Sequence, residues 1–386
     1  MLLLLLALAQ PAEPQTPYSL ESYLRLVGAY GSANREAAVR EIRAWPPASV
    51  RAAAGDVEER GLRESSASPD KIAIDTVEAA VLMHAEAGLL ALREVDNEAA
   101  RSHLKAAVAL FSWSRQEASK LRAQREALLR VSNKDVQERF PLPQYDVRPR
   151  IDRIRFSTAL AAGALAAGWP ATALPFAEDA KRYAPEDPDV LLVFGAVAEG
   201  LAAAERTRGR EDAASRWLVE ARLTLATAVT HEAGPVPDPT ATAQPSPSGL
   251  EARLRLGRIA LEDGRLEDAR RWLEEIDARS GDSRQRHLAW LFLGRVADRQ
   301  GRSDEAVSFF RRALDACPTS QVTALAWAHA VERASGPRAA EPLVTRALAM
   351  PLRVASTEDP WRAYLFGPPG YAEAALARVR RETLER

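Results

Sequence analysis

Cysteine is almost absent from this sequence: Cys317 is the only one in 386 residues. A single thiol excludes an intramolecular disulfide and a cysteine-rich zinc site. Placed just before Pro318, it reads as a small buried hydrophobe at a helix end. Lysine is scarce as well, with only Lys71, Lys105, Lys120, Lys134 and Lys181 among 52 basic residues, so 52 − 5 = 47 are arginine. Net charge is also missing, since 53 acidic side chains bring the total to -1. That balance gives no global attraction to nucleic acid or to an anionic membrane. Arg101 to Arg155 is a local exception with 13 basic and 6 acidic residues, but it has few aromatics for stacking on bases, and no nucleic-acid partner is expected. Beyond the first residues no apolar run is long enough to span a bilayer, and Val190 to Ala204 is interrupted by Glu199.

Motifs for the common chemistries are missing too. There is no phosphate-cradling G-x-x-x-x-G-K-[ST] loop, no G-x-G-x-x-G and no G-x-S-x-G elbow. His231-Glu232 lacks a second histidine at helical spacing, so the helical zinc motif fails. His84 and His103 can face each other across one helix pair, but a third ligand cannot be named, and neither a metal nor a cofactor is expected. One catalytic alternative stays open. Glu21-Ser22-Tyr23-Leu24 resembles the Glu-Ser pair of lytic transglycosylases, which implies Glu21 as a general acid, although the Gly-Leu-Met-Gln stretch of those enzymes is missing. A Glu-Ser pair at a helix start is also ordinary capping chemistry.

Residues 1–9 form an apolar run ending Ala7-Leu8-Ala9, followed by Pro11, Pro14 and Pro17. The run resembles a secretory signal peptide with a mature start at Gln10, which implies a periplasmic or extracellular protein. No Lys or Arg precedes Leu2, so a cytoplasmic location is the alternative.

What the chain does have is a repeat. From His287 to Ser320 it supplies Trp290, Leu293, Gly294, Ala306, Phe310, Ala313 and Pro318, with Ala297 at one further position. This spacing resembles a tetratricopeptide repeat (TPR). Two short antiparallel helices pack closely where Gly294 and Ala306 remove bulk, and Trp290 and Phe310 fill the flanks. Gly301 suits the turn, Ser303 is positioned to cap the second helix, and Pro318 ends it. Lone helix pairs cannot bury their apolar face, so neighbours of the same kind are required.

The resemblance implies an all-α, right-handed α-solenoid of TPR-like helix-turn-helix units. Residues 17–139 read as a helical region with one degenerate pair around Gly88 and Leu104, whose second helix runs on to about Val131. Residues 150–232 hold TPR-like units, and 19 residues separate Gly195 from Ala214, against 12 between Gly294 and Ala306, so either the helices are longer or the turn carries an insertion. Residues 233–249 read as a Pro-rich linker. Residues 250–352 hold three repeats, marked by Gly257, Gly294 and Ala328, with three extra residues near Ser283. Residues 353–386 break the period with Trp361, Tyr364 and Phe366 before a capping helix.

By the same resemblance, first helices line a groove. Leu254, Leu291 and Leu325 stand at its floor position, and Arg258, Arg295 and His329 at its edge. Such a strip suits a peptide with acidic side chains or a free carboxylate. The expected role is a non-enzymatic scaffold for a protein or peptide partner.

Overall fold

A computed structural model of the protein describes residues 78, 81–82, 84–89, 91–92, 96–131, 151–231, 246–350, 360–367 and 371–385. The signal-peptide stretch, Glu21 and residues 233–245 of the linker lie outside the described residues. Those described form helices and no strand. In chain order the helices are α1 (Asn97–Val131), α2 (Arg153–Ala166), α3 (Pro170–Tyr183), α4 (Pro188–Thr207), α5 (Glu211–His231), α6 (Pro247–Glu262), α7 (Leu266–Arg279), α8 (Ser283–Arg299), α9 (Ser303–Ala316), α10 (Gln321–Ser335), α11 (Pro337–Ala349), α12 (Pro360–Phe366) and α13 (Tyr371–Glu385). They fall into two units, one of residues 1–160 with 372–386 and one of residues 161–371.

In the first unit α1 extends for 35 residues, well past the length of a repeat helix. Leu104 on it fills the space a side chain at Gly88 would need, 2.8 Å from the Cβ position. His84 and His103 do meet, with their Nδ1 atoms 3.0 Å apart. Further along, Phe111 packs on Phe156 at 5.0 Å between ring centroids.

The second unit is a stack of helix pairs. Each helix from α3 to α11 packs on the next, and the first helices of successive pairs, α4, α6, α8 and α10, also pack on one another. One turn recurs inside the pairs. Gly168, Gly209, Gly264 and Gly301 all take positive φ, between 72 and 81°. Each glycine N–H returns to the carbonyl three residues back, and the next residue's N–H to the carbonyl five back, as in Arg302 to Ala297 at 2.9 Å. This is the Schellman closure, which a residue without Cβ enters at least cost. Because Gly301 and Arg302 are consumed by that closure, Arg302 takes the N-cap position of α9 without a side-chain bond, and Ser303, expected to be the cap, is already helical. Side-chain caps occur instead on first helices, where Asp187, Ser246, Asp282 and Ser320 accept from backbone N–H groups of α4, α6, α8 and α10.

Three sequence expectations acquire a definite form. The α4–α5 pair has longer helices rather than an inserted loop: Gly209 follows Gly195 by 14 residues, where Gly301 follows Gly294 by 7. Seven residues are two helical turns, so α4 runs two turns further past its packing glycine and keeps nearly the same face inward, and α5 has 21 residues against 14 in α9. The linker ends earlier than expected, since Ser246 caps α6 and Pro247 occupies its first turn, where a missing N–H costs nothing. Cys317 is half-exposed rather than buried, because the helix stops at Ala316 and the thiol turns toward Thr319, 3.7 Å away.

Close packing within the pairs follows one rule. A Cβ at Gly294 would lie 2.5 Å from the ring of Phe310, at Gly257 2.7 Å from Leu273, and at Gly195 2.6 Å from Leu225. A large side chain of the second helix thus occupies the space left by glycine on the first. Leu293, Ala306 and Ala313 are buried beside the Gly294 contact. Trp290 is half-buried, its Nε1 donating to Asp277 at 2.8 Å and its face covered by Arg312. Pro318 is exposed, just beyond the helix it follows.

Candidate peptide-binding face

The first helices of the second unit bring together a group of charges that the repeat pattern alone does not foretell. Glu199 comes from α4, Arg255 and Arg258 from α6, Phe292 and Arg295 from α8. Glu199 and Arg255 are both buried, and Arg255 Nη1 donates to Glu199 Oε2 at 2.6 Å. Arg255 also lies 3.3 Å from Glu251, one turn earlier on α6. The longer N-terminus of α8 has a use here. It carries Arg284 and Gln285 onto Glu251, at 2.7 and 3.3 Å.

Across this face lies α12. Tyr364 is fully buried, and its hydroxyl donates to Glu199 Oε1 at 2.8 Å. Arg255 Nη2 donates to the Tyr364 backbone carbonyl at 2.6 Å and lies over the Tyr364 ring, 4.5 Å from its centroid. Arg258 donates to the same hydroxyl at 3.4 Å and pairs with Glu262 at 2.5 Å. One turn back, Trp361 stacks on Tyr364 with an angle of 8° between the rings, while Phe292 meets both edge-on. Offset stacking and edge contacts are the favoured aromatic arrangements.

The electrostatics follow from burial and pairing. Burial raises the Tyr364 phenol pKa above its ordinary value, Glu199 adds to this, and the two arginines only partly oppose it. Burial works against the Glu251 carboxylate, but Arg255 and Arg284 outweigh it and hold its pKa below the usual range. Arg295 is different. It makes no ion pair or hydrogen bond among the described residues, and burial with Arg299 and Arg258 nearby lowers its pKa, an effect that Glu262 only partly opposes. It borders a cavity of about 220 Å³ with Leu291, Phe292, Phe310, His329 and Trp361, and with Asp298, whose carboxylate pairs with Arg333 at 3.0 Å.

The six residues assigned to the groove therefore separate. Leu254 is buried in the core shared by α6 to α9 and α12 and forms no exposed floor, whereas Leu291, also buried, lines the bottom of the cavity. Arg258 is enclosed by Trp361, Tyr364 and Glu262 and is not an open edge. Arg295 and His329 remain at the cavity mouth, and Leu325 is 41% exposed on α10. The difference arises because α12 covers part of the face, which the repeat spacing does not encode. Glu199, Arg255, Trp361 and Tyr364 were not singled out as site residues. The available signals were a lone carboxylate in an apolar run, which must find a cation if the helix is buried, and an aromatic cluster that breaks the period.

The Tetratricopeptide repeat family model matches residues 240–284 and 282–320, covering the pairs α6–α7 and α8–α9. Residues 240–320 are therefore similar to tetratricopeptide repeats. No curated protein matches it. Among solved structures, MamA (residues 41 to the end) from Desulfovibrio magneticus RS-1 is 16% identical, with a TM-score of 0.39 over 52% of this chain and 95% of that one. A second MamA structure gives 17% identity and a TM-score of 0.36 over 51% and 90%. MamA AMB-1 gives 20% identity and a TM-score of 0.35 over 50% and 96%. No helix among the described residues is long and apolar enough to cross a membrane, and these residues contain no group of three metal-binding side chains.

Proposed function

We propose that the first-helix face of the second unit binds peptide segments of a partner protein, and that the protein acts as a non-enzymatic scaffold. The observation that carries this reading is α12. The face already holds a stretch of polypeptide by its backbone carbonyl, by its rings and by a hydroxyl, which are the means by which a surface reads a peptide. Beside that segment the cavity at Arg295 and His329 offers largely apolar walls and a guanidinium with no ion pair among the described residues to a side chain ending in a carboxylate, the one carboxylate in its lining, Asp298, being paired with Arg333. Export to the cell envelope is part of the same proposal. It is supported by the apolar run before Gln10 and is tested by the N-terminal mass of the mature protein.

The binding reading is tested by selecting a random peptide library on the full chain and on Arg295→Glu/His329→Glu. Both positions are exposed and outside the buried network, so the variant is expected to keep its melting temperature. Selection should enrich acidic peptides on the parent and lose them on the variant. Recovery of the same peptides from both proteins, or none from the parent, rejects the face.

A further inference from the structure

The segment α12 has two properties that a fixed closing element does not need. First, the charges beneath it are already matched without it. Glu199 pairs with Arg255 at 2.6 Å, Glu251 with Arg284 at 2.7 Å, and Arg258 with Glu262 at 2.5 Å, all between first helices or within one. The face can therefore be opened to water without stranding a lone buried charge. Second, the segment is only seven residues long and its two stacked rings are unequally enclosed. Tyr364 is inserted fully, whereas Trp361 is half-exposed beside the open cavity. A competing chain can enter at that cavity and replace Trp361 before Tyr364 must leave.

We propose that α12 is an exchangeable ligand of the first-helix face, held in cis, and that the partner segment which replaces it carries two aromatic residues three apart, the second a tyrosine. The chemistry of the site defines this partner. Phe292 presents its edge to two rings that stack on each other at 5.5 Å, a spacing reproduced by residues at i and i+3 of a helical turn. Glu199 accepts from a hydroxyl, which phenylalanine cannot supply. Arg255 takes a backbone carbonyl and so accepts any sequence that places the two rings. An acidic side chain on the incoming segment gains Arg295, which lines the cavity beside Trp361 and makes no ion pair among the described residues. Binding is consequently reduced by the fraction of molecules in which α12 is seated. This inference rests on the peptide-binding reading, and its test is separable from that one.

The probe is a fluorescein-labelled peptide of residues 357–368, TEDPWRAYLFGP, titrated into the full-length parent and into full-length Trp361→Ala/Tyr364→Ala. Fluorescence anisotropy should show the double variant binding at least about tenfold more tightly than the parent, because its own segment no longer competes. The same peptide with phenylalanine at the tyrosine position should bind the double variant more weakly. Equal affinity for parent and double variant overturns the competition, and no binding to a folded double variant overturns exchange altogether. In either case Arg295→Glu/His329→Glu can still abolish library selection, so the two readings fail separately. If the double variant does not fold, Tyr364→Phe decides, since it keeps the ring packing and removes only the bond to Glu199. It should bind the probe more tightly than the parent, and unchanged affinity rejects the proposal. A dimeric parent in sedimentation, with the segment seated on a second copy, also rejects the cis arrangement.

Discussion

The Tyr364 hydroxyl donates to the Glu199 carboxylate across 2.8 Å and 165 residues of chain, linking the end of the second unit to the first helix of a pair near its beginning. Both groups are buried. A hydrogen bond to a buried charge is worth more than a neutral one, so Tyr364→Phe is expected to cost about 1.5–3 kcal/mol of stability. Urea unfolding measures this, and an unchanged midpoint would show that the contact is not made.

Glu199 itself is expected to matter more than its partner. Replacing it with alanine leaves Arg255 buried with only Glu251 to balance it, and loss of one member of a buried pair costs about 3–5 kcal/mol. The double variant Glu199→Leu/Arg255→Met removes both charges and should recover much of that loss. A double variant no more stable than Glu199→Ala alone would count against the pairing.

Glycine positions divide into two kinds. At Gly294 a methyl group would sit 2.5 Å from the Phe310 ring, so Gly294→Ala overpacks the pair at a cost of about 1–3 kcal/mol. At Gly301 nothing lies within 4 Å of the Cβ position, but φ is 73°, so Gly301→Ala pays only for backbone strain, about 1–2 kcal/mol. Thermal unfolding of the two variants, each combined with Phe310→Leu, separates the mechanisms. The substitution should relieve part of the Gly294→Ala cost and none of the Gly301→Ala cost.

Stability should depend on pH at both ends of the range. Glu251, Glu262 and Glu305 have pKa values lowered in the folded state; burial opposes this in the first two and arginine partners overcome it, while a hydrogen bond from Arg270 is the main cause in Glu305. Their contribution is present above the ordinary carboxylate pKa, about 4.3, and is lost as pH falls through the depressed values. Tyr364 has a raised pKa, so its neutral form is the one that folds. That contribution is full below the ordinary tyrosine pKa, about 10, and is lost as pH rises beyond it. A stability profile against pH should therefore fall on the alkaline side in the parent and flatten there in Tyr364→Phe.

The packing of α8 on α9 was legible because it is local. Gly294, Gly301 and Phe310 lie within one helix pair, and their spacing reports a close approach and a turn that few other residues permit. The extra length between Gly195 and Ala214 was visible as a broken interval, but only the place of the turn at Gly209 shows that it lies in helix rather than in a loop. The face was much less legible. Leu254 and Leu291 share a repeat position with the exposed Leu325, yet α12 and the neighbouring pairs bury the first two and leave the third open.

The sequence by itself determined that the chain forms helix pairs, where each pair turns, and which small residues let the helices meet, because these follow from steric limits acting over a few tens of residues. Only the tertiary structure decided that Glu199 and Arg255 join across two pairs, that Tyr364 returns to seal them, and that Arg295 is left at a cavity outside those pairings. Those relations depend on which charges become desolvated together, and that is set by the path of α12 over the stack, which no local spacing contains.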